Sequence, residues 1–296
     1  MKSMAKGSGK KRSYKKRKSS LNLFQITVLV FLAVIILITM IGEHRRKKER
    51  EAMEAAESVT VSTPFTEHNY DFSNLQWNGS FVSYEDENYT SRQGIDVSMH
   101  QEEIDWDAVK ADGIDFAFIR CGYRGYLYGD VWEDPYFHEN MMGAIRNNID
   151  IGVYFFSQAV TVEEAREEAD FVIRILKKYK IDLPVVFDME EYIDGNAGRV
   201  TEVGRFERTE AAVTFLHHIQ NAGYDAMIYN SSLLFDKIFM NEYLQEFDYW
   251  VADYNYAPQY PYHFSIWQYT SEGIVDGIEG GTDMDIMFVP KTKEGD

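Results

Sequence analysis

The sequence predicts an α/β barrel that has lost its last helices and that follows a single transmembrane helix. Strand-like apolar runs alternate with helical patterns along residues 94–290, which is typical of a parallel sheet. Eight strands fit into these roughly 200 residues, which indicates a barrel, with an open doubly wound sheet as the alternative. A basic, apolar N-terminal part precedes this acidic body and predicts the membrane segment.

An uncharged apolar segment at residues 21–42 is the first element. At 1.5 Å per residue its 22 residues reach about 33 Å, enough to cross the hydrocarbon core of a bilayer. A buried core helix is disfavoured because both flanks are strongly charged. A cleaved signal peptide is disfavoured because the segment is long and EHRRKKERE follows it instead of small residues. We therefore expect an uncleaved signal anchor.

The distribution of charge gives the anchor an orientation. The 296 residues carry a net charge of −18, yet residues 1–50 hold fourteen Lys or Arg against two acids, so the rest of the chain carries −30. Nine positive charges without an acid precede the anchor, which places the N-terminus in the cytoplasm and the body outside the cell. An acidic body disfavours a nucleic-acid partner. A single cysteine, Cys121, excludes disulfides within the chain and a cysteine-rich metal site.

The predicted organisation has five parts. They are a basic cytoplasmic head at 1–20, the anchor at 21–42, an extracellular stalk or linker at 43–93, the barrel at 94–290 and a C-terminal tail at 291–296. The second half of the stalk is polar with scattered aromatic residues. As an alternative to a free stalk, its residues Phe72, Trp77, Phe81 and Tyr84 could pack onto the barrel.

Within the body, strands and helices alternate up to about residue 247. The predicted strands are GIDVSM from Gly94, DFAFIRCGY from Asp115, IGVYFFSQA from Ile151, LPVVFDMEE from Leu183 and DAMIYN from Asp225, followed by DYWVADYN, HFSIWQYT and TDMDIMF with little room for helices between them. The predicted helices are Ile104–Asp112, His138–Asn148, Thr161–Lys180, Arg208–Ala222 and Phe235–Phe247.

The helix at Thr161–Lys180 has the clearest signals. Thr161 and Glu164 have the spacing of a capping box, and acids fill the first turn while lysines fill the last. Apolar residues recur at intervals of three and four between Ala165 and Tyr179, which gives one buried face.

Carboxylates at the ends of strands are the candidate catalytic groups, because chemistry in α/β barrels collects where the strands end. Asp188 and Glu190 follow the apolar run Val185–Phe187 and share one face of the strand. Neighbouring carboxyls cannot both ionise without cost, so the pKa of one should rise. A proton donor beside a stabilising carboxylate is what cleavage of a glycosidic bond requires. The first predicted strand carries Asp96, and the last carries Asp283 and Asp285.

Other chemistries have weaker support. The acids Asp96, Asp188, Glu190 and Asp283 could instead hold a divalent metal, and spacing alone does not exclude it. The sequence has no GxSxG, GxGxxG, GxxxxGK[ST] or HExxH motif. Cys121 lies in an apolar strand without an evident histidine partner and is interpreted as packing. Many Tyr and Trp residues fall near strand ends, where aromatic faces stack on sugar rings.

Taken in order, the motifs GIDVSMHQ with IDW, IDFAFIRCGYRG, IGVYFFSQA, LPVVFDMEE, YWVADYN and IWQYTSEGIVDGIEGGTDMDIMF resemble the family 25 glycoside hydrolases, the Chalaropsis-type lysozymes or N-acetylmuramidases. The resemblance covers Gly94 to about Val289 and excludes the head, anchor and stalk. It implies five β/α units followed by three strands. It also implies hydrolysis, without a metal or other cofactor, of the β-1,4 bond between N-acetylmuramic acid and N-acetylglucosamine in peptidoglycan.

The resemblance implies that Glu190 of the DxE motif is the general acid and that Asp188 stabilises the positive charge that develops on the sugar. It leaves the nucleophile open, which is either a carboxylate of the protein or the substrate's acetamido group. Asp96 and Asp283 complete the acidic cluster. The implied cleft residues are Arg120, Tyr154, Trp267, Gln268 and Tyr269. The chain departs from the family at Asp285, where an amide is common, and in its membrane anchor.

Three hypotheses follow. The first is a membrane-tethered muramidase that remodels or lyses the cell wall, with peptidoglycan strands and the membrane as its partners. The second is a non-catalytic module that binds peptidoglycan through the same fold. The third is a deacetylase-like or metal-dependent hydrolase of the same polymer.

Overall fold

The computed structural model describes residues 31–32, 65–193 and 196–292. The predicted head, all of the anchor except residues 31 and 32, residues 43–64 of the stalk and the end of the tail lie outside these residues. In the described part of the chain, no helix is long and apolar enough to cross a membrane.

The strands, in chain order, are β1 (Leu75–Asn78), β2 (Phe81–Tyr84), β3 (Tyr89–Val97), β4 (Phe116–Arg124), β5 (Val131–Glu133), β6 (Asp150–Ser157), β7 (Val185–Met189), β8 (Tyr192–Ile193), β9 (Asn196–Ala197), β10 (Ala226–Ser231), β11 (Asp248–Ala252), β12 (Ile266–Gly273) and β13 (Thr282–Pro290). The α-helices of the body are α1 (Trp106–Ala111), α2 (Phe137–Arg146), α3 (Val162–Leu176), α4 (Arg205–Asn221) and α5 (Phe235–Ile238). Short 3₁₀ turns lie at Phe72–Asn74, Met99–Gln101, Arg199–Glu202 and Asn241–Tyr243.

Eight strands close into a barrel in the order β3, β4, β6, β7, β10, β11, β12 and β13. Neighbours from β3 to β12 are parallel, and β13 runs antiparallel between β12 and β3. The helices α1 to α5 follow the first five barrel strands, and none of the three last strands is followed by an α-helix within residues 248–292. This order confirms the predicted barrel, and the alternative of an open sheet is wrong because β13 pairs with β3.

One predicted helix is much shorter than expected. The pattern at Phe235–Phe247 predicts a single helix, but α5 ends at Ile238 because Phe239 has an extended backbone. The carbonyl oxygen of Phe239 accepts hydrogen bonds from Nε and Nη2 of Arg205 at the start of α4. A tertiary contact from a distant residue therefore ends this helix.

Both faces of the barrel sheet are apolar. The outer face packs against the helices, and the inner face holds a separate cluster. The inner cluster consists of Phe116, Phe118, Tyr154, Val186, Met227, Trp250 and Ile266. Glycines make room for its rings: Gly94 lies beside Phe116 and Gly152 beside Phe118 on the neighbouring strand, and a Cβ at either glycine would overlap the ring. The filled interior leaves the carboxyl ends of the strands as the place for a site.

Gly152→Ala is expected to lower the free energy of unfolding by about 1–3 kcal/mol, the usual cost of overfilling a packed core. The added methyl group would overlap the ring of Phe118 inside the barrel. Urea unfolding would measure the change. Gly125→Ala is the control, because the nearest atom to its Cβ would be 3.6 Å away, an ordinary contact. Equal effects of the two changes would contradict the packing argument.

Residues 65–88, at the end of the predicted stalk, pack against the barrel. This is the alternative to a free stalk that the sequence leaves open. Tyr84 is buried in the core, while Phe72 and Phe81 are half-buried against it. The ring of Tyr70 stacks on Phe288 of β13 with centroids 4.1 Å apart. The strands β1 and β2 form a hairpin over the sheet, and β3 begins at Tyr89, ahead of the predicted boundary at Gly94.

Candidate active site

The carboxylates predicted from the sequence lie at one end of the barrel. Asp188, at the end of β7, is in register with Phe156 of β6 and Tyr229 of β10. Asp96, near the end of β3, is in register with Asp283 at the start of the antiparallel β13. Strand alternation directs Asp188 inward with Val186 of the inner cluster, and Glu190 follows two residues later. The structure therefore brings these four acids together at one end of the barrel, where the parallel strands have their carboxyl ends. We call this end the mouth of the barrel, and its acids are Asp96, Asp188, Glu190 and Asp283.

Burial and mutual repulsion raise the pKa values of these acids. Glu190 is half-buried, and its desolvation, followed by the charge of Asp283, raises its pKa to about 7. The pKa of Asp188 is well above its usual range because of burial and then the charge of Glu190, although Arg120 acts in the opposite direction. Burial is also the first cause that raises the pKa of Asp283 to about 6. A carboxyl that keeps its proton near neutral pH thus lies beside other acids.

A chain of hydrogen bonds orients Asp96. Gln268 of β12 donates from Nε2 to Oδ2 of Asp96 at 2.7 Å. The Oε1 atom of Gln268 accepts from the hydroxyls of Tyr229 and Tyr254, at 2.9 and 2.8 Å. Because two hydroxyl donors hold Oε1, the amide can only turn its NH₂ group toward Asp96.

Asp285 lies beneath the acidic cluster and is completely buried. Its Oδ1 atom accepts a hydrogen bond from Nε1 of Trp250 at 2.8 Å, while Oδ2 has no hydrogen-bond partner within the described residues. Burial, followed by the charge of Asp283, raises its pKa well above the usual range. A protonated Asp285 can direct a hydrogen toward the neighbouring Asp96.

Asp285→Asn is expected to raise the free energy of unfolding at pH 8, by about 1.4 kcal/mol for each unit by which burial raises the pKa of this carboxyl, because the amide has no proton to lose. The unfolded chain releases this proton near the ordinary pKa of 3.8, whereas the folded barrel retains it to higher pH. Stability from this group is therefore complete below pH 3.8 and is lost as the pH rises toward the folded pKa. Urea unfolding at pH 4 should show little change, and an equal change at both pH values would contradict the raised pKa.

Arg120 supplies a cation next to the acids. Its Nε donates to Oδ2 of the buried Asp134 at 2.8 Å, and Asp134 also accepts from the backbone N–H of Met99 at 3.0 Å. The Nη2 atom of Arg120 and the Oδ1 atom of Asp188 are buried without a hydrogen-bond partner among the described residues. In the barrel sheet Arg120 is in register with Tyr154, an inner residue. The two predicted cleft residues Arg120 and Tyr154 therefore face the barrel interior near Asp188.

The structure does not bring Trp267 and Tyr269 to the interior, although both are predicted to line the cleft. Both are buried in the outer cluster. Trp267 donates from Nε1 to the carbonyl oxygen of Asp253 at 2.7 Å, and the hydroxyl of Tyr269 donates to the carbonyl oxygen of Ser80 at 3.0 Å. Their neighbour Gln268 points inward because side chains alternate along β12.

Sequence reasoning did not select three residues that shape the site. Tyr229 and Tyr254 belong to the aromatic residues near strand ends, and no signal in the sequence predicts their hydrogen bonds to Gln268. Asp134, the partner of Arg120, follows a short strand that carries no motif. Among the described residues, no three His, Cys, Asp or Glu side chains are grouped so that they could hold a metal ion.

Comparison with known proteins identifies the family. The model for glycosyl hydrolases family 25 matches residues 95–278. The Escherichia coli O157:H7 protein YegX is 29% identical over 218 residues, which cover 70% of this chain and 73% of YegX. Lysozyme M1 from Streptomyces globisporus is 27% identical over 200 residues, which cover 64% of this chain and 66% of that protein.

A solved structure shows the same fold. The modular autolysin LytC from Streptococcus pneumoniae, in complex with a synthetic peptidoglycan ligand, superposes with a TM-score of 0.56 and 25% identity. The match covers 67% of this chain and 47% of LytC, so this chain spans about half the length of that relative. Because the family model matches more than half of the residues, the chain belongs to family 25 of the glycosyl hydrolases.

Proposed function

We propose that the chain is a membrane-tethered peptidoglycan hydrolase that cleaves the β-1,4 bond between N-acetylmuramic acid and N-acetylglucosamine. Membership of family 25 makes it a glycoside hydrolase of lysozyme type. The observation that carries the proposal is Glu190, a half-buried carboxyl whose pKa is raised to about 7, next to the buried Asp188 at the mouth of the barrel.

In this mechanism Glu190 donates its proton to the glycosidic oxygen as the bond to the sugar carbon breaks. A pKa near neutral pH suits this role, because the acid is then still protonated but transfers its proton readily. Asp188, once ionised, stabilises the positive charge that develops on the sugar ring and orients the substrate's N-acetyl group. Arg120 and Tyr154 form the wall behind Asp188.

The relatives support peptidoglycan as the substrate. One of them is named a lysozyme, and the LytC structure contains a synthetic peptidoglycan ligand. The side chains near the acids include the rings and hydroxyls of Tyr154, Tyr229 and Tyr254, which suit a sugar polymer because aromatic faces cover the apolar faces of sugar rings.

The tether is inferred from the sequence of the first fifty residues. The apolar run at 21–42 with its preceding positive charges places the N-terminus in the cytoplasm and the catalytic barrel outside a cell membrane. A tethered hydrolase has limited reach, which suits local remodelling or lysis of the cell wall. A chain without residues 1–42 should appear in the soluble fraction, whereas the full chain should remain in membranes washed at high salt.

The test of the activity uses the full chain in detergent with purified peptidoglycan, and mass spectrometry identifies the new reducing ends. Reducing N-acetylmuramic acid that is absent with Glu190→Gln would support the proposal. Reducing N-acetylglucosamine would overturn the choice of bond. Binding without any new ends would favour the peptidoglycan-binding module, and loss of activity with a chelator would favour a metal-dependent hydrolase.

A further inference from the structure

The loop that follows β11, residues 253–260, presents an exposed tyrosine from a rigid frame. Asp253 is buried and holds the loop from within. Its Oδ1 accepts from the backbone N–H of Asn255 at 3.2 Å, and its Oδ2 accepts from the N–H of Gln259 and the hydroxyl of Ser232, both at 2.8 Å. Tyr256, in the middle of the loop, is nevertheless 71% exposed.

The hairpin of β1 and β2, which we call the N-terminal hairpin, supports this tyrosine. It precedes the residues that match the family model. Trp77 of β1 stacks on Tyr256 with ring centroids 5.2 Å apart and an angle of 22° between the planes. The ring of Trp77 also contacts the rings of Trp267 and Tyr269, with centroids 6.3 and 5.8 Å apart and with planes nearly at right angles. Trp77 is still 36% exposed, so the pair forms a fixed aromatic surface. We name Trp77 and Tyr256 the aromatic platform.

The aromatic platform is continuous with the site. Tyr254, two residues before Tyr256, donates its hydroxyl to Gln268, which in turn donates to Asp96. The ring of Trp267 contacts Trp77, and its Nε1 donates to the carbonyl oxygen of Asp253 in the same loop. The aromatic platform therefore lies beside the loop that carries Tyr254, where a long strand bound at the acids can reach it.

The platform has the chemistry of a sugar-binding surface. Packing of the rings and hydrogen bonds within the loop already fix these side chains, so they lose little conformational entropy when a ligand binds. Stacking on a ligand therefore has a low entropic cost. The two rings carry no formal charge, so they offer no counter-charge to an anionic ligand. A pyranose ring, with one apolar face and hydroxyls at its edge, matches such a surface.

We propose that Trp77 and Tyr256 form an accessory subsite that binds a saccharide unit of the glycan strand beyond the cleaved bond. The proposal rests on the proposed function for the identity of the polymer. Trp77 lies before residues 95–278, so the N-terminal hairpin adds to the site from outside the part of the chain that matches the family.

The test compares long glycan strands, freed of peptides, with a tetrasaccharide of the same repeat, using the full chain in detergent. Tyr256→Ala should raise KM for the long strands about five- to tenfold, the scale of one lost ring stack, and leave kcat/KM for the tetrasaccharide unchanged. Tyr256→Trp should restore the KM. Ile145→Ala, which removes an exposed apolar side chain from α2, is the matched control and should change neither substrate's KM.

Three outcomes would overturn the subsite. They are an unchanged KM for long strands, an equal rise for both substrates, or a change of oligomeric state in Tyr256→Ala, which would assign the platform to a second copy of the chain. Binding of the long strands to Glu190→Gln, with and without Tyr256→Ala, gives a readout without hydrolysis. If the wild type cleaves neither substrate, the proposed function fails, but weaker binding caused by Tyr256→Ala would still support the subsite.

Discussion

Glu190→Gln is expected to lower kcat on peptidoglycan by about 10²- to 10⁴-fold, the usual contribution of a general acid. The amide has the shape of the acid but has no proton to give to the leaving oxygen. The backbone of the residue should stay in place, because its carbonyl oxygen accepts from Nε2 of the buried Gln158 at 2.8 Å. KM should therefore change little, and initial rates of reducing-end release would measure both constants.

The pH profile tests the same role separately. With the pKa of Glu190 at about 7, the rate of the wild type should fall as the pH rises through 7 and the donor loses its proton. The charge of Asp283 contributes to that raised pKa. Asp283→Asn should therefore move the alkaline limb to lower pH, whereas Glu190→Gln should remove it.

The matched control is Glu139→Gln, which changes an exposed acid on the outer helix α2 and should retain the wild-type rate and pH profile. A Glu190→Gln protein with more than one tenth of the wild-type kcat would contradict the assignment of the general acid, because such a loss is below the usual range. An alkaline limb that persists in Glu190→Gln would place the titrating group elsewhere.

The sequence predicts the acidic cluster well because its signals are local. Asp188 and Glu190 directly follow an apolar strand, and the alternation of side chains along that strand gives them a common face. The alternation of strands and helices is also a local signal, and it predicts the barrel. Closure by the antiparallel β13 depends on pairing between residues far apart in the chain, so the pattern predicts a barrel of eight strands but not the antiparallel direction of the last one.

The orientation of Trp267 and Tyr269 could not be predicted in this way. Both faces of a barrel strand are apolar, one toward the interior and one toward the outer layer, so hydrophobicity does not tell which alternate residues point inward. The polar Gln268 between the two aromatic residues was the available signal for the inward face. The outer face is covered by a hairpin nearly two hundred residues earlier in the chain.

That hairpin itself carried a signal that the sequence interpretation passed over. Gly79 and Ser80 form the two-residue loop between the paired residues Asn78 and Phe81, and Gly79 has a φ of +62°, which such a turn requires at its first central position. The sequence nevertheless predicts a stalk for the surrounding segment, because it is polar with scattered aromatic residues. A short hairpin is not stable alone, so its formation depends on the barrel surface that it covers.

Arg124→Met is expected to lower the free energy of unfolding by about 3–5 kcal/mol, the usual cost of removing one partner of a buried ion pair. Arg124 is 3% exposed and donates from Nε to Oε1 of the buried Glu168 at 2.6 Å. The other oxygen of Glu168 accepts from the hydroxyl of Ser157 at 2.7 Å. Burial outweighs these favourable contacts and raises the pKa of Glu168 to about 7. Loss of the cation would raise that pKa further, so at pH 8 the buried carboxyl must either keep a costly charge or take up a proton.

The expected loss depends on pH, which separates it from a simple packing defect. Below pH 5 Glu168 is protonated in the variant and needs no cation, so urea unfolding should show a much smaller loss at pH 5 than at pH 8. Arg124→Met combined with Glu168→Gln should recover much of the loss at pH 8, since the double change leaves no buried charge. The control Arg92→Met breaks an ion pair with Asp150 whose arginine is 31% exposed, and it should cost less than about 1 kcal/mol. Equal losses for Arg124→Met and Arg92→Met, or a loss independent of pH, would show that the charge of Glu168 does not determine the stability of this part of the barrel.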